Sequence, residues 1–343
     1  MSTAIVILNW NGENYLHRFL PVLIKNTLLP GVEIIVADNA STDSSLTLLK
    51  DEFPTIRTIV LDKNYGFAGG YNKAFEQIEA DYFVLLNSDV EVTPHWLEPL
   101  LAYMDAHNEV AACQPKILSY DQRSRFEHAG AAGGYIDRFG FPYCRGRIVG
   151  HAEKDDNQYD TIADIFWATG ACLMIRSDFY RQAGGLDDEF FAHMEEIDLC
   201  WRLKSRGYRI VCLPESSVFH VGGGALGYES PHKIYLNFRN NLLMLYKNLP
   251  EHLLRKTMFW RSVFDYSAAI QSVLTGKFEN AKSILKARTD FSIMQQDFAA
   301  KRKQNMALAT TDLKSEIFQG SIIVEYYLKG KKTFSSIVSK KRE

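Results

Sequence analysis

Cysteine is scarce, and the five present, Cys113, Cys144, Cys172, Cys200 and Cys212, include no CxxC pair. An odd number without that spacing argues against a disulfide framework and a zinc cluster, and leaves reduced, buried thiols. No apolar run approaches the roughly 20 residues that span a bilayer, so no transmembrane helix is expected. No basic segment or small-residue cleavage site precedes Ile5, which leads us to expect a cytoplasmic chain without a secretory signal. No GxGxxG follows the first apolar strand, which counts against a dinucleotide-binding dehydrogenase. Net charge is also small, at −2.

What is present is an ordinary globular composition, 46% hydrophobic and 23% charged over 343 residues. That length suits one large α/β domain with an appendage. The charge is unevenly spread. Residues 251–343 hold 17 Lys and Arg against 9 Asp and Glu, leaving 22 against 32 in the rest. An acidic body with a basic tail signals an anionic partner surface, membrane headgroups or nucleic acid.

Apolar strands alternate with helical spacing along the first half. AIVILNWNG predicts a buried strand, Tyr15 to Leu29 a helix stopped by Pro30-Gly31, and Val32 to Ala37 a second strand breaking into Asp38, Ser41 and Asp43. A third strand is expected at Ile56 to Leu61, then the glycine-rich loop NYGFAGG, a helix from Tyr71 to Glu79, and a fourth strand at Tyr82 to Asn87. This order predicts a mostly parallel sheet with its polar strand ends along one edge, where ligands bind. Between Gln114 and Asp164 the pattern dissolves into glycines, aromatics and charges, read as a long, partly mobile excursion over the site. A further strand is expected in FWATGACLMI, followed by the acidic, then helical, DDEFFAHMEEIDLCWRL. Amphipathic helices dominate from Lys233 onward.

Three carboxylate groups fall at or near strand ends: Asp38 with Asp43, Asp89 with Glu91, and Glu195, Glu196 and Asp198. Such groups suit two tasks, holding a hard divalent cation against phosphates and taking a proton from an attacking hydroxyl. Each also has a plain structural reading. Asp89 in NSDVEV can end a strand in an Asx-turn, and the acidic triplet can be a solvated first helical turn favoured by the helix dipole. Phe190, Phe191 and Met194 beside the triplet favour a pocket wall. His220, before three glycines, is either a metal or phosphate contact or a satisfied core histidine. The GFAGG backbone at Gly66 to Gly70 offers a weak phosphate-loop signal.

Taken in order, IVILNWNG, VADNASTDSS, NYGFAGGYN, YFVLLNSDVEVTPHWLEPL, GACLMIRSDFY, GGLDDEFFAHMEEIDLCWRLKSRGYRI and PESSVFHVGGG resemble family 2 of the glycosyltransferases, particularly bacterial rhamnosyltransferase-like members. The resemblance implies an α/β GT-A (nucleotide-diphospho-sugar transferase) fold over 1–245, a mostly parallel Rossmann-like sheet flanked by helices, with a helical C-terminal extension over 246–343. It implies an inverting transfer of sugar from a nucleotide-diphosphate donor to an acceptor hydroxyl, in cell-surface polysaccharide or glycolipid synthesis, with Mg²⁺ or Mn²⁺. Asp38 would hydrogen-bond the nucleotide base with Asn9 close by, and Asn64, Gly66, Asn72 and Ser88 would line the nucleotide-sugar pocket. Asp89 would be the metal aspartate of a DxD-type motif whose first position is here Asn87, and His220 a further metal or diphosphate contact. EEID stands where the family usually has EDxD, which makes Glu196 the preferred base, with Asp198 the alternative. Arg239 in KIYLNFRN would brace the diphosphate or the acidic cluster, or else form a plain helix salt bridge. The acceptor would be a saccharide or a lipid-linked sugar. The rival enzyme class, a sugar-phosphate nucleotidyltransferase, usually carries basic residues after strand one, which NWNGEN lacks; a non-catalytic nucleotide-sugar-binding protein is the other alternative.

The tail carries apolar and basic residues interleaved in MFWRSVFDY and SIIVEYYLKGKKTF. These features suit a peripheral helix on an anionic membrane surface, at the inner face of the cytoplasmic membrane. Equally, the apolar faces pack on the catalytic domain or in a homodimer. No nucleic-acid partner is expected.

Overall fold

A computed structural model describes residues 1–222 and 230–338. The glycines at positions 223 and 224, part of the turn expected after His220, lie outside the described residues.

The first part alternates strand and helix: β1 (Thr3–Asn9), α1 (Glu13–Asn26), β2 (Val32–Asp38), α2 (Ser45–Glu52), β3 (Arg57–Val60), α3 (Gly66–Phe75), β4 (Tyr82–Asn87), β5 (Val90–Val92), α4 (Glu98–Ala106) and β6 (Val110–Ser119). Short strands follow, β7 (Gly134–Ile136), β8 (Pro142–Cys144), β9 (Arg147–Ile148), β10 (His151–Ala152) and β11 (Ala163–Asp164). Then come β12 (Cys172–Arg176), α5 (Ser177–Ala183), α6 (Glu195–Ser205) and β13 (Arg209–His220). The chain finishes in helices: α7 (Pro231–Asn248), α8 (Glu251–Leu274), α9 (Phe278–Met294), α10 (Phe298–Leu308), α11 (Ile322–Tyr327) and α12 (Phe334–Val338).

The large sheet runs β3-β2-β1-β4-β12-β6-β13-β11, with β5 also on β13. β1 pairs in parallel with β2 and β4, and β13 with β6, while β12 is antiparallel to both β4 and β6. β1, β2, β4, β6 and β13 therefore point the same way. Asn9, Asp38, Asn87 and His220 end on one edge. Successive strand residues face opposite sides, so Ile5, Ile7, Val84 and Leu86 pack under α1 and α4, whereas Val6, Ala37, Phe83 and Leu85 pack under α3 and α6. Burial on both faces is why these strands are apolar throughout rather than alternating.

Two expectations change. NYGFAGG is not a loop, because α3 starts at Gly66 and takes in Gly69 and Gly70. A methyl group at Gly70 would stand 2.8 Å from Leu8, so the glycines let the helix lie close on β1. The stretch from Gln114 to Asp164 is also not featureless: its first residues finish β6, and β7 to β10 form a separate four-stranded sheet over buried Ile136, Cys144 and Ile148. All five cysteines are free and buried. No described helix is long and apolar enough to cross a membrane.

Candidate active site

The sheet edge gathers the residues singled out in the sequence into two groups. In the first, Asn9 at the end of β1 donates to Asp38 Oδ2 at 3.0 Å and to Ser41 Oγ at 3.1 Å. Asp38 Oδ1 accepts from the Ser41 amide at 2.9 Å. Asp38 has no exposed surface, and its two oxygens orient Asn9 and the 39–43 turn. Asn9 keeps its buried Oδ1 without a partner. Ser88 stands beside it, half-buried, its hydroxyl 3.4 Å from where a methyl group on Gly12 would lie.

Asn64 accepts from the Asn39 amide nitrogen at 3.0 Å and from Gly66 N at 2.8 Å, which fixes the entry to α3. The exposed amides of that helix start are not left for a phosphate. Phe67 N and Ala68 N both donate to the Phe191 carbonyl, at 2.6 and 3.1 Å. Asn72 likewise has no group to spare: its nitrogen donates to Leu186 O and Asp188 Oδ1, and its oxygen accepts from the Tyr180 hydroxyl and Leu186 N. Its hydrogen bonds tie α3 to the 184–190 segment.

The second group is charged. His220 Nε2 lies 3.1 Å from Asp89 Oδ1, and its Nδ1 lies 3.2 Å from Glu127 Oε2. Asn87 Nδ2 is 3.5 Å from the same Nε2. Burial alone would push the imidazole down, but Asp89 and Glu127 on either side outweigh it and hold His220 up at about 10. Glu127, whose burial opposes ionisation, is brought down to about 2 chiefly by His220. Among the described residues no three acidic, histidine or cysteine side chains converge as a complete metal shell. Asp89 offers one hard oxygen, and His220 would offer one nitrogen once a cation displaces its Nε2 proton, a donor pair that suits a divalent ion whose other ligands are phosphate and water. Glu127 stands behind the imidazole, where an outer carboxylate fixes a ligand's orientation.

The acidic triplet opens α6 and splits into three environments. Asp198 is fully buried and tied: Oδ2 accepts from Arg202 at 2.9 Å and Lys247 at 2.8 Å, and Oδ1 from Asn248 at 2.7 Å. Glu195 is buried too, and desolvation with Glu196 nearby holds its carboxyl well above the ordinary range. Glu196 is half-buried, its Oε2 has no partner, and burial raises it to about 7 against the pull of the Glu196, Ile197 and Gly170 amides.

The turn before α6 is strained. Phe191, His193 and Met194 all have positive φ, at 62°, 71° and 74°. Asn240 on α7 holds it, donating to the carbonyls of Phe190, Ala192 and His193, each at 2.8 Å. Arg239 donates to Glu189 O at 2.8 Å and Phe190 O at 3.3 Å, so it braces the backbone that carries the acidic cluster. Phe190 is buried beneath the turn and Phe191 is exposed above it.

Set beside known proteins, residues 4–181 match the family model described as Glycosyl transferase family 2. The chain belongs to that family. Over 256 residues, 70% of this glycosyltransferase is 24% identical to 83% of the N-acetylglucosaminyl-diphospho-decaprenol L-rhamnosyltransferase of Mycobacterium tuberculosis. Among solved structures, S. aureus TarS 1–349 in complex with UDP-GlcNAc superposes with a TM-score of 0.57 at 17% identity, covering 96% of this chain and 93% of that one. GalNAc-T7 with UDP, GalNAc and Mn²⁺ gives 0.59 at 15%, covering 88% of this chain and 56% of that one. The fold is GT-A.

The glycosyltransferase also uses residues that sequence reading passed over. Glu127 lies in the stretch from Gln114 to Asp164, where no local pattern marks it. Asn240 and Lys247 sit on an unremarkable amphipathic helix, and their partners lie 47 to 60 residues away in the chain. A half-open cavity of about 550 Å³ lies at the opposite sheet edge, lined by Tyr135, Arg209 and Phe318 among others, away from all the carboxylates of the triplet.

Proposed function

We propose that this glycosyltransferase transfers a sugar from a nucleoside-diphosphate donor to an acceptor hydroxyl with inversion, Glu196 acting as the base. The acceptor oxygen forms its bond to the anomeric carbon as the bond to the diphosphate oxygen breaks, and the hydroxyl proton passes to the Glu196 carboxylate. The observation that carries this reading is the contrast within one helical turn. Asp198 is held by two cations, Glu195 is buried with its carboxyl held well above the ordinary range, and Glu196 is half-buried with Oε2 unpartnered and sits at about 7, near the optimum for a base at neutral pH.

Asp89 and His220 would hold a Mg²⁺ or Mn²⁺ ion, which supplies charge neutralisation to the departing diphosphate. GalNAc-T7 was crystallised with Mn²⁺, in keeping with that choice. Asn9, Ser88 and Asn64 form the wall for the nucleotide, with Asp38 and Gly66 fixing them from behind. The name of the mycobacterial relative gives a lipid-linked diphospho-sugar acceptor, and we carry that class to this chain, at the inner face of a membrane. Catalysis is assigned to residues 1–245 and an accessory role to 246–343, with the seam inside α7.

The test is hydrolysis and transfer of nucleotide sugars with and without Mn²⁺, in wild type and Asp89→Ala. We expect metal-dependent turnover in the wild type and a loss of about 100-fold or more in the variant, together with a lower melting temperature because Asp89→Ala leaves buried His220 without one of its two carboxylates. Wild-type turnover in Asp89→Ala would remove Asp89 from the metal site.

A further inference from the structure

Helix α8 has two opposite faces. Leu254, Thr257, Arg261, Asp265 and Ala269 recur every three or four residues and are buried. On the other side, Phe259, Val263, Tyr266, Ile270 and Leu274 recur at the same spacing and are exposed, Phe259 at 63%, Ile270 at 60% and Leu274 at 81%. Trp260 lies beside them and Phe278 continues the row past the turn into α9. An open groove of about 270 Å³ between α8 and α9, lined by Ile270, Val273 and Leu285 among others, has no charged residue in its wall. A row of this kind is far more apolar than an ordinary surface helix requires.

The charges along it are basic, and the exposed Glu251 and Glu279 just beyond its two ends pair with Arg302 and Lys282. Between His252 and Phe278 the only acidic residue is Asp265, which is buried and paired with Arg261 and Arg288. Arg255 and Lys256 are exposed at one end of the row and Lys277 at the other. The other tail segment of mixed apolar and basic character is largely spoken for, with Tyr327 and Leu328 exposed: Ile322 packs with Tyr143 and Ile148, and Lys329 and Lys331 pair with Glu325.

We propose that the outward face of α8, with the α8–α9 turn, inserts into the headgroup region of an anionic lipid bilayer. The inference rests on the reading above that the enzyme works at a membrane, and it assigns the contact to one helix face. Aromatic and aliphatic side chains dip into the interface while Arg255, Lys256 and Lys277 meet anionic headgroups. A second copy of the chain is a poorer fit. A two-fold contact sets the same patch against itself, so basic ends would meet basic ends, and the nearest exposed carboxylates, Glu251 and Glu279, already pair with Arg302 and Lys282.

The hairpin is mechanically linked to the active site. Asp290 of α9 accepts from the Tyr235 hydroxyl at 2.6 Å, and Arg239, one turn further along α7, holds the Glu189 and Phe190 carbonyls. A bilayer-bound hairpin therefore keeps the acidic turn at the lipid surface, where a lipid-linked acceptor presents its sugar.

The experiment is co-sedimentation of the full chain with phosphatidylglycerol-containing and pure phosphatidylcholine vesicles, at low and high salt. Wild type is compared with Phe259→Ser/Trp260→Ser and with Ile270→Ser/Leu274→Ser, alongside sedimentation velocity and turnover on a soluble acceptor analogue. We expect salt-sensitive wild-type binding to the anionic vesicles only, reduced about tenfold or more in each double variant, with turnover and monomer mass unchanged. Equal binding of wild type and both variants to anionic vesicles would overturn this assignment and leave membrane attachment standing. Failure of wild type to bind would overturn both. A wild-type dimer that the variants dissociate would assign the face to a second copy instead.

Discussion

Three carboxylates on one turn of α6 differ because of what reaches each. Lys247, Arg202 and Asn248 arrive at Asp198 from α6 and α7, whereas Oε2 of both Glu195 and Glu196 has no partner, and of those two only Glu196 reaches the surface in part. Glu196→Gln should therefore lower kcat by roughly 100-fold to 10,000-fold with donor affinity kept, which steady-state and donor-binding measurements separate. Asp198→Asn should act on stability, costing about 1–3 kcal/mol because Arg202 loses its only carboxylate and Lys247 is left with Asp187 alone, read as a lower melting temperature. A dead but normally melting Asp198→Asn would move the base there. Because Glu196 must be ionised to accept a proton, kcat/KM should rise with pH through about 7. Stability runs the other way: its folded value lies above the ordinary carboxyl range, so protonation favours the fold and stability is lost as pH rises from about 4.5 through 7. Glu196→Gln should lose that penalty and melt above wild type at pH 8. The acid types and their order were readable from EEID. Which oxygen stays free was not, since Lys247 and Asn248, which occupy Asp198, come from about 50 residues downstream.

Among the elements, the 191–194 turn and the start of α3 depend on each other. Phe191 O caps the first amides of α3, and a methyl group on Gly66, at φ 70°, would stand 2.5 Å from the Phe191 ring. Asn240 holds the same turn through three carbonyls. Asn240→Ala removes the donor from a buried, strained backbone, so we expect a loss of about 2 kcal/mol in stability. We also expect kcat to fall more than donor affinity, because the released turn is what positions Glu196. Thermal melting and donor titration on the same preparation check both, and parallel losses of kcat and donor affinity would make Asn240 a general structural residue. NYGFAGG read as a loop because glycine usually breaks helices; its use here, close approach to β1 and to Phe191, is a tertiary fact without a local signature. The strands that read well, β1, β2 and β4, are those whose two buried faces demand apolar residues throughout.

Over the whole molecule, the tail is part of the core and not a detachable arm. Phe298 of α10 is buried and stacks with Phe190 beneath the acidic turn, with ring centroids 6.2 Å apart. Lys301 donates to Asp187 at 2.6 Å, joining the network that holds Asp198, and Arg302 donates to the Leu249 carbonyl at the end of α7 at 2.6 Å. Leu254, Phe291 and Leu313 enter the same apolar cluster as Phe83 and Leu199. The basic charge of the tail was legible in composition, but its docking was not, because helical spacing shows that a face is apolar without showing what covers it. The antiparallel insertion of β12 between β4 and β6 was equally hidden, since pairing across 50 or more residues leaves no local pattern. Removing residues 251–343 should therefore do more than abolish lipid binding. Each large buried side chain lost from that contact is worth roughly 1.5–3 kcal/mol, so four of them, Leu254, Phe291, Phe298 and Leu313, match the roughly 5–15 kcal/mol that holds a domain together. The chain ending at Pro250 should lose its cooperative thermal transition and bind a hydrophobic dye, while the α8 surface variants melt like wild type. Cooperative melting of that shortened chain within a few degrees of full length would show that the catalytic part folds without its tail.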